Sequence, residues 1–192
     1  MRKLICLGDS LTFGLRVPHS QAWPRRVSRE TGLEVQNLGI SGDTTTGMIA
    51  RCQKDVFGQG FDALLWLGGV NDISYTSDYR TAWANTLAVY CQAKAYGIPF
   101  IMGIPLPVTV MPDRAYYPHR SGEQVKTLVE EYAAVLKIYC EEKGIPYADF
   151  HAAFVEKDGK GREELFLDGL HPNEQGHALM ADALCETLEK WF

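Results

Sequence analysis

Apolar residues fall along this chain in two rhythms. Short, nearly unbroken apolar runs recur at KLICLG (3–8), LEVQNLG (33–39), DALLWLGG (62–69), IPFIMGIPLP (98–107) and IPYADF (145–150). Unbroken runs of this length suit strands covered on both faces, as in parallel sheets. Between them apolar residues recur at spacings of three and four, the helical period. That spacing predicts helices over 20–31, over 44–57 from within the polar cluster SGDTTTG, and over 79–97, 122–144 and 173–192. YGIPF and KGIPY each read as a helix stopped by glycine and a strand entered through proline. Strands alternating with helices predict an α/β fold with a parallel sheet and right-handed crossovers. No repeat or low-complexity linker interrupts the series, so residues 1–192 read as one domain.

In such a sheet, ligands bind beyond the carboxyl ends of the strands. The polar motifs fall there. GDSLT (8–12) follows the first run, GISGDTT (39–45) the second, GGVND (68–72) the third, and DGLHPN (168–173) comes after the fifth. Ser10 sits at a strand-to-helix turn. A serine hydroxyl is a weak nucleophile until a base takes its proton, and the usual base is a histidine oriented by a third group. His171 is the candidate base and Asp168 the candidate orienting acid. A spacing of three can set both on one side of a tight turn. Pro172 suits the first turn of the last helix, where a missing N–H costs little. Acyl transfer also needs donors for the developing oxyanion. The backbone N–H groups of Ser10 and Gly42 and the side-chain amide of Asn71 are the candidates.

Each motif has a plainer reading. Ser10 alone would be a helix cap; with Asp168, His171, Gly42 and Asn71 in place, the nucleophile reading is preferred. Asn71 and Asp72 could be an ordinary loop pair, with Asp72 shaping the turn. Asp9 and Asp43 brace loops by bonding backbone N–H groups. His177 lies in the last helix as a packing residue, while His19 and His151 are surface or loop residues. Residues 105–122 form the longest stretch without clear periodicity, and long loops in compact domains are often lids or binding loops. Tyr116, Tyr117, His119 and Arg120 are candidate substrate contacts there, with Pro107 and Val108 as an apolar wall; the plain alternative is a solvated connection.

Together, GDSLT, GISGDTT, GGVND and DGLHPN resemble the four blocks of the SGNH, or GDSL, hydrolases, in that family's order and across nearly the whole chain. The family comprises esterases, lipases, lysophospholipases, thioesterases and carbohydrate O-acetyl esterases. The resemblance implies a flavodoxin-like three-layer α/β/α sandwich with five parallel strands in the order 2-1-3-4-5. It implies Ser10 as nucleophile, His171 as base, Asp168 as orienting acid, and an oxyanion hole of Ser10, Gly42 and Asn71. AWPRRV (22–27) resembles the helix after the first block. No key position departs from the pattern. A rival reading takes GDTTTG (42–47) as a phosphate cradle at a helix start, as for a flavin. In flavodoxins that loop follows the first strand, where this chain has GDSLT, and the rival leaves Asp168 and His171 unexplained.

Composition adjusts this picture only at its edges. Hydrophobic residues make up 46% and charged residues 22% of the chain, the balance of an ordinary globular protein. The net charge of -5, with no basic cluster, argues against a nucleic-acid partner. The five cysteines are scattered without a C-x-x-C pair, so neither a disulfide framework nor a metal site is expected; they read as single buried thiols. No run approaches a membrane span, and the short apolar start does not make a signal core. A cytoplasmic protein without stable membrane insertion is the expectation, with secretion left open; the sequence assigns no oligomeric state. The expected function is a serine hydrolase cleaving small-molecule carboxylic esters through an acyl-enzyme, without cofactor or metal. A small-ester or lysophospholipase-like acylhydrolase is preferred, with a carbohydrate O-acetyl esterase or thioesterase as alternatives. A non-catalytic ligand-binding module, the alternative of a different class, predicts loss of a catalytic residue, and none is lost.

Overall fold

The most apolar runs become the middle of a sheet. In this computed structural model, which describes residues 1–110 and 122–192, strands β3 (Ala63–Leu67) and β4 (Phe100–Gly103) are buried at every position. β1 (Lys3–Gly8) is buried at all but its first. β2 (Glu34–Gly39) is half-buried or exposed at every position, as suits an edge, and β5 (Tyr147–Ala148) closes the other side. All pairings are parallel and the order is β2-β1-β3-β4-β5, as expected.

The helices are α1 (Ser10–Phe13), α2 (Trp23–Thr31), α3 (Thr45–Asp55), α4 (Val70–Thr76), α5 (Arg80–Ala95), α6 (Gly122–Lys143), α7 (Phe150–Ala153) and α8 (Glu174–Trp191). Right-handed crossovers place α2 on one face of the sheet and α3, α5 and α6 on the other. On the first face α2 packs on α8. On the second α3 packs on α5, and Trp83 and Tyr90 of α5 meet the Tyr139 ring of α6 edge-on. The result is three layers, with every β-to-α turn at the carboxyl end of the sheet.

Where elements differ from expectation, the cause is local. The run 98–107 leaves the sheet after Gly103, because Pro105 and Pro107 have no N–H for a ladder. Residues 104–108 stay buried all the same. The run 145–150 is cut short when Asp149 caps α7, accepting from the Ala152 N–H at 2.9 Å. The helix expected over 20–31 is split at Ala22, which is extended, and α2 starts beyond it with Pro24 in its first turn. Asn71 and Asp72 lie in a helix, α4, rather than in a loop. Gly69 makes that entry possible: its φ is 114°, and a Cβ there would stand 2.5 Å from the Tyr132 ring. His151 belongs to α7 rather than to a loop, and it is half-buried. Cys91 and Cys185 depart from the buried-thiol expectation, the first exposed and the second half-buried.

Candidate active site

The turn that carries Ser10 is built by β1 and α1. β1 ends at Gly8, and Asp9 caps α1 by accepting from the Leu11 N–H at 2.9 Å. Ser10 is therefore the first residue of a helix, with an N–H the helix itself does not use. It is 6% exposed. Trp23 braces this turn, its indole donating to the Leu11 carbonyl at 2.9 Å and its backbone N–H to His177 Nδ1 at 3.3 Å. His177 is wholly buried, and burial lowers its pKa to about 4. Its place is packing between α8 and α2, as the sequence reading had it.

The loop before α8 delivers the second part. Ser10 Oγ lies 3.1 Å from His171 Nε2, and His171 Nδ1 lies 2.9 Å from Asp168 Oδ2. Asp168 Oδ1 accepts from the backbone N–H groups of Leu170 at 3.1 Å and His171 at 2.8 Å. Burial works against its ionisation, but the backbone and ring N–H groups of His171 outweigh it and hold the carboxyl below its ordinary value. Residues 161 positions apart in the chain thus meet within hydrogen-bond distance.

The third part comes from the turns after β2 and β3. Gly42 has φ 80°, and the nearest atom to a Cβ there would be the Tyr75 hydroxyl at 4.0 Å, so one side of this peptide is open. The Asn71 amide donates to the Asp43 carbonyl at 2.8 Å, which ties α4 to the loop that carries Gly42. Asp72 accepts from the Thr45 N–H at 2.9 Å and the Thr45 hydroxyl at 2.7 Å, so it caps this corner.

Residues 6–179 match the family model for GDSL-like lipases and acylhydrolases. The chain belongs to this family. Among curated relatives, an acetylxylan esterase of Geobacillus stearothermophilus is 26% identical over 94% of this chain and 91% of its own. The thioesterase 1/protease 1/lysophospholipase L1 of Escherichia coli K12 is 27% identical over 97% of this chain and 83% of its own. Two solved structures share the fold. A member of the lipolytic G-D-S-L family from Veillonella parvula superposes with a TM-score of 0.81 at 23% identity, over 99% of this chain and all of the other. The Axe2 acetylxylan esterase of G. stearothermophilus superposes at 0.75, with 23% identity over 97% and 94%. The family and these esterase relatives make the protein a carboxylic ester hydrolase.

In this GDSL hydrolase two arginines that the sequence reading passed over touch the site. Arg16 Nη1 donates to Asp168 Oδ2 at 2.8 Å, from a residue with φ 69°, in the left-handed region. Arg51 of α3 bonds Asp43, Gly8 and Leu38. A signal for Arg51 was present: it stands three residues after Met48 and one before Cys52, both on the buried stripe of α3. A charge at such a position implies buried partners. Arg16 carried no such signal. Asp43 meets Arg51 with its carboxylate, rather than the backbone N–H groups expected for it, whereas Asp9 does bond a backbone N–H. Pro107 and Val108 are buried. Tyr116, Tyr117, His119 and Arg120 lie outside the described residues. Among the described residues no cluster of His, Cys, Asp and Glu could hold a metal, and no helix is long and apolar enough to cross a membrane. A cavity of about 520 Å³ beneath Tyr147, Leu179 and Trp191 includes none of the site residues.

Proposed function

We propose that this hydrolase cleaves carboxylic esters through an acyl-enzyme on Ser10, with His171 as base and Asp168 as orienting acid. The carrying observation is the continuous chain of contacts from Ser10 Oγ through both His171 nitrogens to Asp168. Ser10 Oγ attacks the ester carbonyl while its proton passes to His171 Nε2. The tetrahedral oxyanion takes hydrogen bonds from the N–H groups of Ser10 and Gly42 and from the Asn71 Nδ2 hydrogen that Asp43 does not use. Collapse breaks the bond to the alcohol, which leaves with the proton from Nε2. Water then attacks the acyl-enzyme, giving its proton to Nε2, and the acid departs as the proton returns to Ser10. Asp168 stays ionised and steadies the imidazolium. Ser10→Ala should abolish hydrolysis of p-nitrophenyl acetate in a folded protein, and a fluorophosphonate probe should label Ser10. An unchanged rate in the variant would sink the assignment.

Small or apolar acyl esters are the preferred substrates. Phe13, Ile40, Tyr75, Val110 and Leu167, each 47–54% exposed, lie on the segments that carry or adjoin the site residues. Exposed apolar side chains on these segments are in keeping with an apolar ligand. A second reading, a carbohydrate O-acetyl esterase, is favoured by a polar cavity of about 530 Å³ that includes Thr109, Lys126, Glu130 and Lys160. Thr109 donates its N–H to Gly169 O at 2.8 Å, so this cavity borders the Asp168–His171 loop. Rates on p-nitrophenyl esters from acetyl to palmitoyl, acetylated xylo-oligosaccharides and acyl-CoA separate these readings. Preference for acetylated sugar would reject the first. The five free thiols are in keeping with a reducing compartment such as the cytoplasm.

A further inference from the structure

We propose that Arg51 is a positioning residue that sets the geometry of the oxyanion hole; this rests on the reading of Ser10, Gly42 and Asn71 as its donors. Arg51 is 15% exposed at its side chain. Its Nε donates to Asp43 Oδ2 at 3.0 Å, and its Nη2 to the carbonyls of Gly8 at 3.1 Å and Leu38 at 2.8 Å. Its Nη1 reaches Asp55 Oδ2 at 3.4 Å. Each proposed donor hangs from one of these partners. Ser10 stands two residues after Gly8. Gly42 immediately precedes Asp43. Asn71 bonds the Asp43 carbonyl at 2.8 Å. One guanidinium therefore joins the ends of β1 and β2 to the loop that bears Gly42 and, through Asp43, to α4.

The residue type fits this task. A guanidinium offers five N–H groups in a fixed planar fork and no acceptor. Four contacts occupy the fork here, which leaves little of it for substrate. A lysine ammonium is a single point and cannot reach two strand-end carbonyls and Asp43 from one position. Because Arg51 acts through other groups, its removal should displace donors rather than delete one. Displacements of about an ångström at a reacting centre can cost roughly 10²-fold in rate.

The test starts with fluorophosphonate labelling of Ser10 in the wild type, because failure there rejects the underlying reading before Arg51 is touched. With labelling in place, Arg51→Lys should lower kcat on p-nitrophenyl acetate by about 10²-fold while KM stays within about twofold. Asp43→Asn keeps the Asp43 carbonyl and changes only the acceptor for Nε. It should lower kcat by about tenfold, also without a change in KM, and it stands in should Arg51→Lys not fold. A purely structural role would not couple to Asn71. If Arg51 acts through the hole, adding Arg51→Lys (or Asp43→Asn) to Asn71→Ala should cost clearly less than in the wild type. Full multiplicativity with Asn71→Ala, or folded Arg51→Lys and Asp43→Asn proteins with wild-type kcat, would overturn the proposal.

Discussion

Replacing Asp168 by asparagine separates the two tasks of its carboxylate. Oδ1 accepts from the Leu170 and His171 N–H groups, which shapes the loop, while Oδ2 faces His171 Nδ1 and Arg16. Asparagine keeps a carbonyl oxygen for the two backbone donors but places an NH₂ where Oδ2 was. That group donates, so Nδ1 must become an acceptor, and the ring proton moves to Nε2. Nε2 then points a proton at Ser10 Oγ, 3.1 Å away, and cannot receive one. In a serine protease this change of tautomer lowers kcat by about 10⁴-fold, or about 5.5 kcal/mol of barrier. The same geometry predicts the same order of loss here. Arg16 faces the amide too, but its side chain is 58% exposed and can turn to water at little cost. The melting temperature should therefore move little. Asp168→Ala differs: it also strips the acceptor from two backbone N–H groups, which costs roughly 1–3 kcal/mol of stability. The assay is initial rates on p-nitrophenyl acetate, with thermal melts of all three proteins. An Asp168→Asn enzyme within tenfold of wild type would refute the orienting role. Equal melting temperatures for Asn and Ala variants would refute the account of Oδ1.

Three further outcomes concern charged groups, the first two of them buried. Burial, with Asp43 and Asp72 nearby, raises Asp9 to about 7. The stability this contributes is present in full below the unfolded value of about 3.8 and is lost as pH rises through about 7, on the order of 4 kcal/mol. Asp9→Asn should thus raise the melting temperature at pH 8 relative to wild type far more than at pH 4, and equal shifts at both would contradict the argument. His177 runs the other way: its pKa falls from 6.5 to about 4, so the folded protein loses stability as pH drops from 6.5 towards 4, on the order of 3 kcal/mol. Urea melts of His177→Asn should show a flatter dependence over that window. Arg16→Ala should leave the fold intact and lower kcat only several-fold, because His171 keeps its own bond to Asp168; a loss matching that of Asp168→Asn would show that the arginine carries the orienting role.

The central strands were legible because they are apolar throughout, and nothing but burial on two faces explains ALLWL. The edges were less so. β5 keeps only Tyr147 and Ala148, since its pairing ends where Asp149 turns to cap a helix, a contest that periodicity does not register. Ser10, Asp168 and His171 were legible because their residue types imply one another. Short polar residues after three different strands each had a plainer reading, but only acyl transfer gave them a common one. Arg16 and Arg51 meet the site through partners far away in sequence. Arg16 reaches Asp168 across 152 positions and Arg51 reaches Gly8 across 43. Arginine is common on helices and loops for plainer reasons, so its type alone announces nothing; only the place of Arg51 on the buried stripe of α3 hinted at its partners.

The three aspartates around Ser10 pose the harder physical question. Negative charge should develop at the proposed hole, yet Asp9, Asp43 and Asp72 lie near enough to one another for Asp43 and Asp72 to raise Asp9. Three free carboxylates there would oppose an oxyanion. The fold disposes of each differently. Asp72 spends both oxygens on Thr45. Asp43 is paired with Arg51. Asp9, without a cation among its described hydrogen bonds, is raised by burial to about 7, so that near neutrality it carries only part of a charge. Each aspartate thus supplies acceptor oxygens to hold the corner together while its charge is bonded, paired or, for Asp9, partly protonated. By this logic Arg51 does two things at once. It holds the loop that carries Gly42, and it keeps a carboxylate from working against the charge that Gly42 would stabilise.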